Sequence, residues 1–199
     1  KLKPDNFEDV IALIALYRPG PLQSGMADMY VKRKHGEERV TYPDESIEPL
    51  LRGTFGVIVY QEQVMLISHH LAGFSLNEAD SLRKAMGKKK PEVMAEFREK
   101  FVEGAVARDH NRKMADELFS TMEFFAGYGF NKSHSTAYGA VAYQTAFLKA
   151  HYPKEFMAAL LSCGMESTER ISEHVADCRR MKLKVFPPDI TRAQVEFDI

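Results

Sequence analysis

Residues 127–152, GYGFNKSHSTAYGAVAYQTAFLKAHY, pass from a turn into a helix within a few positions. Gly127 and Gly129 are poor helix formers and suit a tight corner. Asn131, Lys132, Ser133 and His134 follow, each able to hydrogen-bond. Tyr138, Val141, Thr145, Leu148 and Tyr152 then recur at steps of three and four, which is one stripe of a helix, and Pro153 ends it. The turn therefore delivers a lysine, a serine and a histidine to the start of a long helix. Free backbone N–H groups and the helix dipole favour an anion there, and Lys132 and His134 add donors suited to phosphate. The plainer alternative is that Ser133 is only an N-cap and His134 a surface residue. A P-loop is excluded, because Asn131 stands where that motif needs glycine and a helical pattern precedes it in place of a strand.

Outward from this stretch the same helical periodicity recurs. Residues 5–17 carry Phe7, Val10, Ile11, Ile14 and Leu16 on one face behind a cap at Asp5 or Asn6, and Arg18-Pro19-Gly20-Pro21 stops that helix. Residues 26–34 form a second helix closed by His35-Gly36, and a further one centres on Ile47, Leu50 and Leu51. Val57-Ile58-Val59-Tyr60 is the best strand candidate, running into Gln61-Glu62-Gln63 and a helix that Gly73 ends. Ser75-Leu76-Asn77-Glu78 fits a capping box, Pro91 opens a long helix, Met114 to Phe125 form another, and Pro153 and Ser167 start two more. The fold class is mainly α, with one or two short strands. Residues 1–182 form the helical domain, and residues 183–199, marked by Pro187-Pro188, lead extended into whatever follows.

The composition suits a soluble globular protein: 199 residues, 45% hydrophobic and 28% charged, with a formal net charge of −1. That balance excludes a basic coat for nucleic acid, so any polyanion contact is local. No run is long enough to span a membrane, and no secretory signal opens the chain. It begins Lys1-Leu2-Lys3-Pro4 without an initiator methionine, as the middle of something longer would. Cys163 and Cys178 lack metal or redox spacing and are expected to be buried free thiols in a reducing cytoplasm. His69 and His70 are adjacent and so diverge by about 100° on a helix, which makes them surface residues rather than metal ligands. Five cations, Arg83, Lys84, Lys88, Lys89 and Lys90, fall within eight residues. A helix C-terminus explains one or two of them, but the cluster repels itself unless an anion is present, which points to a polyanion.

Two basic elements could thus converge on phosphates, yet the carboxylates that would hold a pair of metal ions about 4 Å apart are missing, as are hydrolase and zinc motifs. The residues read as part of an enzyme. RPGP, VYQEQVM, EADSLRKAMGKKK, FAGYGFNKSHSTAYGAVAYQTAFLKAHYPKEFMAALL and PPDI occur in that order. Together they closely resemble the bacterial DNA polymerase III α-subunit family, the replicative C-family polymerases. The resemblance covers essentially the whole chain, and GFNKSH, where an error-prone paralogue reads GFPESH, is similar to the replicative type.

The resemblance implies a multi-helix fingers domain of a larger multidomain polymerase, expected to be inactive alone and to work in the cytoplasm. It implies deoxynucleoside triphosphates and template-primer DNA as partners, with other replicase subunits meeting other regions of the protein. Mg²⁺ would be held by palm aspartates before Lys1. Carried over by position, Arg83, Lys132 and His134 contact phosphate oxygens, and Tyr138, one turn beyond His134, either lines the pocket or only packs. Lys84 replaces a usual second arginine and loses its two-pronged geometry. Lys88, Lys89 and Lys90 face template or primer backbone. Arg18 and Gln61-Glu62-Gln63 gain no role beyond a place in the floor of the site. A helical DNA-binding or subunit-docking module without a part in the chemical step is the alternative.

Overall fold

The computed structural model describes residues 1–88, 91–191 and 195–199, and among them eleven α-helices account for nearly all regular structure. They are α1 (Phe7–Leu16), α2 (Pro19–Gln23), α3 (Met26–Lys34), α4 (Glu48–Leu51), α5 (Gln61–Ala72), α6 (Leu76–Lys88), α7 (Pro91–Val106), α8 (Arg112–Ala126), α9 (Lys132–His151), α10 (Pro153–Cys163) and α11 (Thr168–Arg180). Short 3₁₀ turns at Glu45–Ile47 and Arg52–Thr54 flank α4. Local chemistry sets most boundaries. Asn6 caps α1 through the Asp9 N–H, Ser167 caps α11 through the Arg170 N–H, and Gly73 closes α5 with φ 71°. The Ser75–Glu78 box forms with both Ser75 donors on Glu78 Oε2 at 2.8 Å. RPGP differs from expectation. It ends α1 but also opens α2, because prolines in a first turn give up no hydrogen bond the helix needs.

The chain divides into two compact units, Lys1–Ala140 and Val141–Ile199, with the division inside α9. In the first unit, α5 touches α6, α7 and α8, and their apolar faces meet around Ile67, Leu71, Phe74, Leu82, Phe101 and Phe119. A Cβ on Gly104 would stand 2.1 Å from the Ala72 carbonyl oxygen, so the close approach of α7 to α5 depends on that glycine. A second cluster joins Ile11, Leu16, Met26, Tyr30, Val57, Val59 and Tyr60. Beside it, Lys34 Nζ of α3 meets Asp9 Oδ2 of α1 at 2.7 Å with both side chains almost fully buried.

Residues 57–60 are extended and buried but do not form the expected strand. The only pairing is an isolated parallel bridge between Tyr60 and Phe130, among the described residues. The reason lies in their position between the two clusters: Ile58 packs into the first, Val57 and Val59 into the second. Alternation of side chains suits that place, while side chains replace a neighbouring strand as hydrogen-bond partners. Gln63 Oε1 accepts from the Val59 and Tyr60 N–H groups at 2.8 and 3.0 Å, and Thr54 Oγ1 donates to the Val57 carbonyl.

In the second unit, α10 and α11 pack through Met157, Leu161 and Cys178, with Leu183 and Phe197 against them. Cys178 is buried, and burial pushes its thiol pKa up. Cys163, expected to be buried, is exposed: it lies two positions beyond Leu161 and so on the other side of α10. No helix among the described residues is long and apolar enough to cross a membrane.

Candidate functional site

The turn before α9 is held by four residues distant in sequence. Arg18 Nε donates to the Ala15 carbonyl at 2.8 Å, its NH2 group donates to the Tyr128 carbonyl, and its guanidinium lies 4.5 Å from the Phe130 ring centroid. Burial lowers the Arg18 pKa. Gly20 supports the same turn, since a Cβ there would meet the Tyr128 ring at 2.3 Å. Gln61, the first residue of α5, donates from its backbone N–H to the Phe130 carbonyl at 3.0 Å and from Nε2 to the Gly129 carbonyl at 3.1 Å. Glu62 then receives Asn131 Nδ2 at 2.9 Å and the Lys132 N–H at 3.0 and 3.1 Å.

This arrangement changes the expectation for the start of α9. Its backbone N–H groups were expected to be free for an anion. Glu62 supplies that anion from within the chain, and Asn131 Oδ1, rather than Ser133, caps the His134 N–H at 2.7 Å. The Lys132 and His134 N–H groups are thus already engaged, and the side chains carry most of what is left for a ligand. Lys132 Nζ lies 3.4 Å from Glu8 Oε2 in an exposed pair that contributes little, so the ammonium can exchange partners readily. His134 is exposed and lies between Phe130, which it meets edge-on, and Tyr138, to which it is tilted, with ring centroids 5.4 and 4.6 Å away. The stripe from Tyr138 through Val141 and Leu148 to Tyr152 is exposed, and the buried residues of α9 are Ser135 and Gly139.

The second basic element also carries its own counter-ion. Asp80 Oδ1 accepts from Arg83 Nε and NH2 at 2.9 and 2.7 Å, while Asp80 Oδ2 takes Lys84 Nζ at 2.6 Å. Lys84 and Arg83 hold the Asp80 pKa below the usual carboxylate value. Two of the five clustered cations thus need no external anion, and self-repulsion alone does not establish a polyanion contact. Lys88 ends α6, and Lys89 and Lys90 lie outside the described residues.

Arg83 NH1 donates to Gln61 Oε1 at 3.1 Å. The same amide that holds Gly129 therefore holds Arg83, and Lys132 follows one residue later on Glu62. Arg83 and the backbone at Lys132 are thus both joined to the amino end of α5, through Gln61 and Glu62, while the Lys132 ammonium lies on Glu8 and the His134 ring between Phe130 and Tyr138. Two shallow hollows of about 550 and 470 Å³, near Arg112 and near Phe74, are lined by none of them. Sequence reasoning missed Asp80 as counter-ion and the roles of Arg18, Gln61 and Glu62. RPGP and VYQEQVM marked the segments, but only three-dimensional proximity assigns their partners.

No three His, Cys, Asp or Glu side chains come together as a metal site among the described residues, and the nearby carboxylates Glu62 and Asp80 are already engaged by N–H donors and cations. Among the described residues, these side chains do not fit a divalent ion.

Residues 1–109 match the family described as bacterial DNA polymerase III alpha subunit finger domain. Over its full length the chain is 54% identical to DNA polymerase III subunit alpha of Escherichia coli (strain K12) and 54% identical to that of Pasteurella multocida (strain Pm70), covering 18% of each. It is 50% identical to DNA polymerase III subunit alpha of Pseudomonas aeruginosa, covering 17% of it. The chain thus spans less than a fifth of the length of these relatives.

Proposed function

The chain belongs to the bacterial DNA polymerase III α-subunit finger domain family, and on that premise we propose that it grips the incoming deoxynucleoside triphosphate during DNA-templated DNA synthesis in the cytoplasm. The observation that supports this reading is the linkage of Arg83, through the Gln61 amide, to the turn that presents Lys132 and His134. Three N–H donors of Arg83 are used by Asp80 and Gln61, which leaves two of its five for phosphate oxygens. Lys132 exchanges Glu8 for phosphate, His134 donates from its exposed ring, and Tyr138 lines the pocket beside it. Together these donors offset the negative charge that builds on the leaving pyrophosphate as the new phosphodiester bond forms. Lys84 adds charge at the rim, and Lys88, Lys89 and Lys90 face template-primer DNA. Divalent-metal chemistry is assigned to no residue of this chain.

Steady-state primer extension by the full-length subunit tests the reading. Arg83→Ala and His134→Ala are each expected to lower kcat/KM for the triphosphate by about tenfold or more, the loss of a charged hydrogen bond, with an unchanged melting temperature. Wild-type kcat and KM in both variants would favour a DNA-binding or docking module outside the chemical step.

A further inference from the structure

We infer that Gln61 is a positioning residue that joins the two cationic parts of the site, so that Arg83 and the start of α9 meet a triphosphate as one unit. The inference rests on the triphosphate reading above. Its basis is the division of labour within one side chain. Gln61 Oε1 accepts from Arg83 NH1 at 3.1 Å, and Gln61 Nε2 donates to the Gly129 carbonyl at 3.1 Å. The backbone N–H of the same residue donates to the Phe130 carbonyl, so the tether to the turn has two points. The Arg83 guanidinium touches Gln61, and the backbone N–H of Lys132 touches its neighbour Glu62.

The tether is attached to a rigid base. Gln63, one position past Glu62, locks the first turn of α5 onto Val59, Tyr60 and Thr54. On the far side, Asp80 holds two more nitrogens of Arg83. The guanidinium is thereby fixed in a plane between Asp80 and Gln61 before any ligand arrives. An arginine fixed in this way loses little rotamer freedom on binding, which is how a group that touches no phosphate raises affinity for one.

A double-mutant cycle in the full-length subunit separates this role from simple structural support. Gln61→Ala is expected to raise the triphosphate KM about tenfold with a smaller change in kcat and no loss of thermal stability. In an Arg83→Ala background the same change should shift KM by less than about twofold, because the arginine it positions is gone. Gln61→Glu, which keeps an acceptor for Arg83 and loses the donor to Gly129, should fall between wild type and Gln61→Ala. If Arg83→Ala raises KM while Gln61→Ala either leaves it unchanged or adds its full effect on top, the inference is overturned and the triphosphate reading stands. A wild-type KM in Arg83→Ala would overturn the reading itself, and the positioning role with it.

Discussion

Gln63 shows how much one buried amide decides. Its Oε1 accepts two backbone N–H groups, and its Nε2 donates to Thr54 Oγ1 at 2.8 Å and the Leu50 carbonyl at 3.3 Å. Gln63→Ala leaves buried donors without partners and is expected to cost about 3 kcal/mol in urea unfolding, whereas a loss below about 1 kcal/mol would contradict this role. The sequence made the extended, buried state of residues 57–60 legible through four β-forming residues in a row. It did not show that a glutamine three positions on would replace the partner strand, because periodicity reports which side a residue faces and not what satisfies its backbone. The same limit hid Asp80. Arg83 and Lys84 were visible as cations, but their shared carboxylate sits on the same helix face and changes what their clustering means.

Helices were the most legible elements, because their ends carry local chemistry. Gly73, Pro91, Pro153 and the Ser75–Glu78 box each mark a boundary that the fold uses. Among the short pieces, α4 was anticipated from Ile47, Leu50 and Leu51, whereas α2 was not, since the RPGP run that opens it reads as a stop. The capping box makes a pH prediction. Lys100 first, and then the two Ser75 donors, pull the Glu78 carboxyl down from 4.5 to about 2. A carboxylate more acidic in the folded state stabilises the fold fully above pH 4.5 and loses that contribution as pH falls toward about 2. Glu78→Gln is therefore expected to flatten the dependence of melting temperature on pH in this window, though Asp44, Asp80 and Asp177, also held low, keep part of the slope. Equal slopes for the two proteins would show that the box is not charged in this way.

For the whole molecule, two units with separate apolar clusters carry a surface whose charges nearly cancel. Composition predicted that any contact with a polyanion would be local, and Arg83 and Lys132, proposed for it, are linked around the amino end of α5, each beside a carboxylate of the chain. There the long-range hydrogen bonds of Arg18, Gln61, Glu62 and Arg83 join segments from four parts of the chain. The cations themselves were legible in the sequence, while Gln61 and Glu62, which link their segments, were not, because their partners lie tens of residues away. The central claim is that these cations hold a nucleotide's phosphates. Crosslinking the full-length subunit with a triphosphate carrying a photoreactive γ-phosphate group, followed by peptide mapping, tests it most directly. Label on the peptides that contain Arg83 and Lys132, competed away by unmodified triphosphate, is the expected result; competed label confined to other peptides would contradict it.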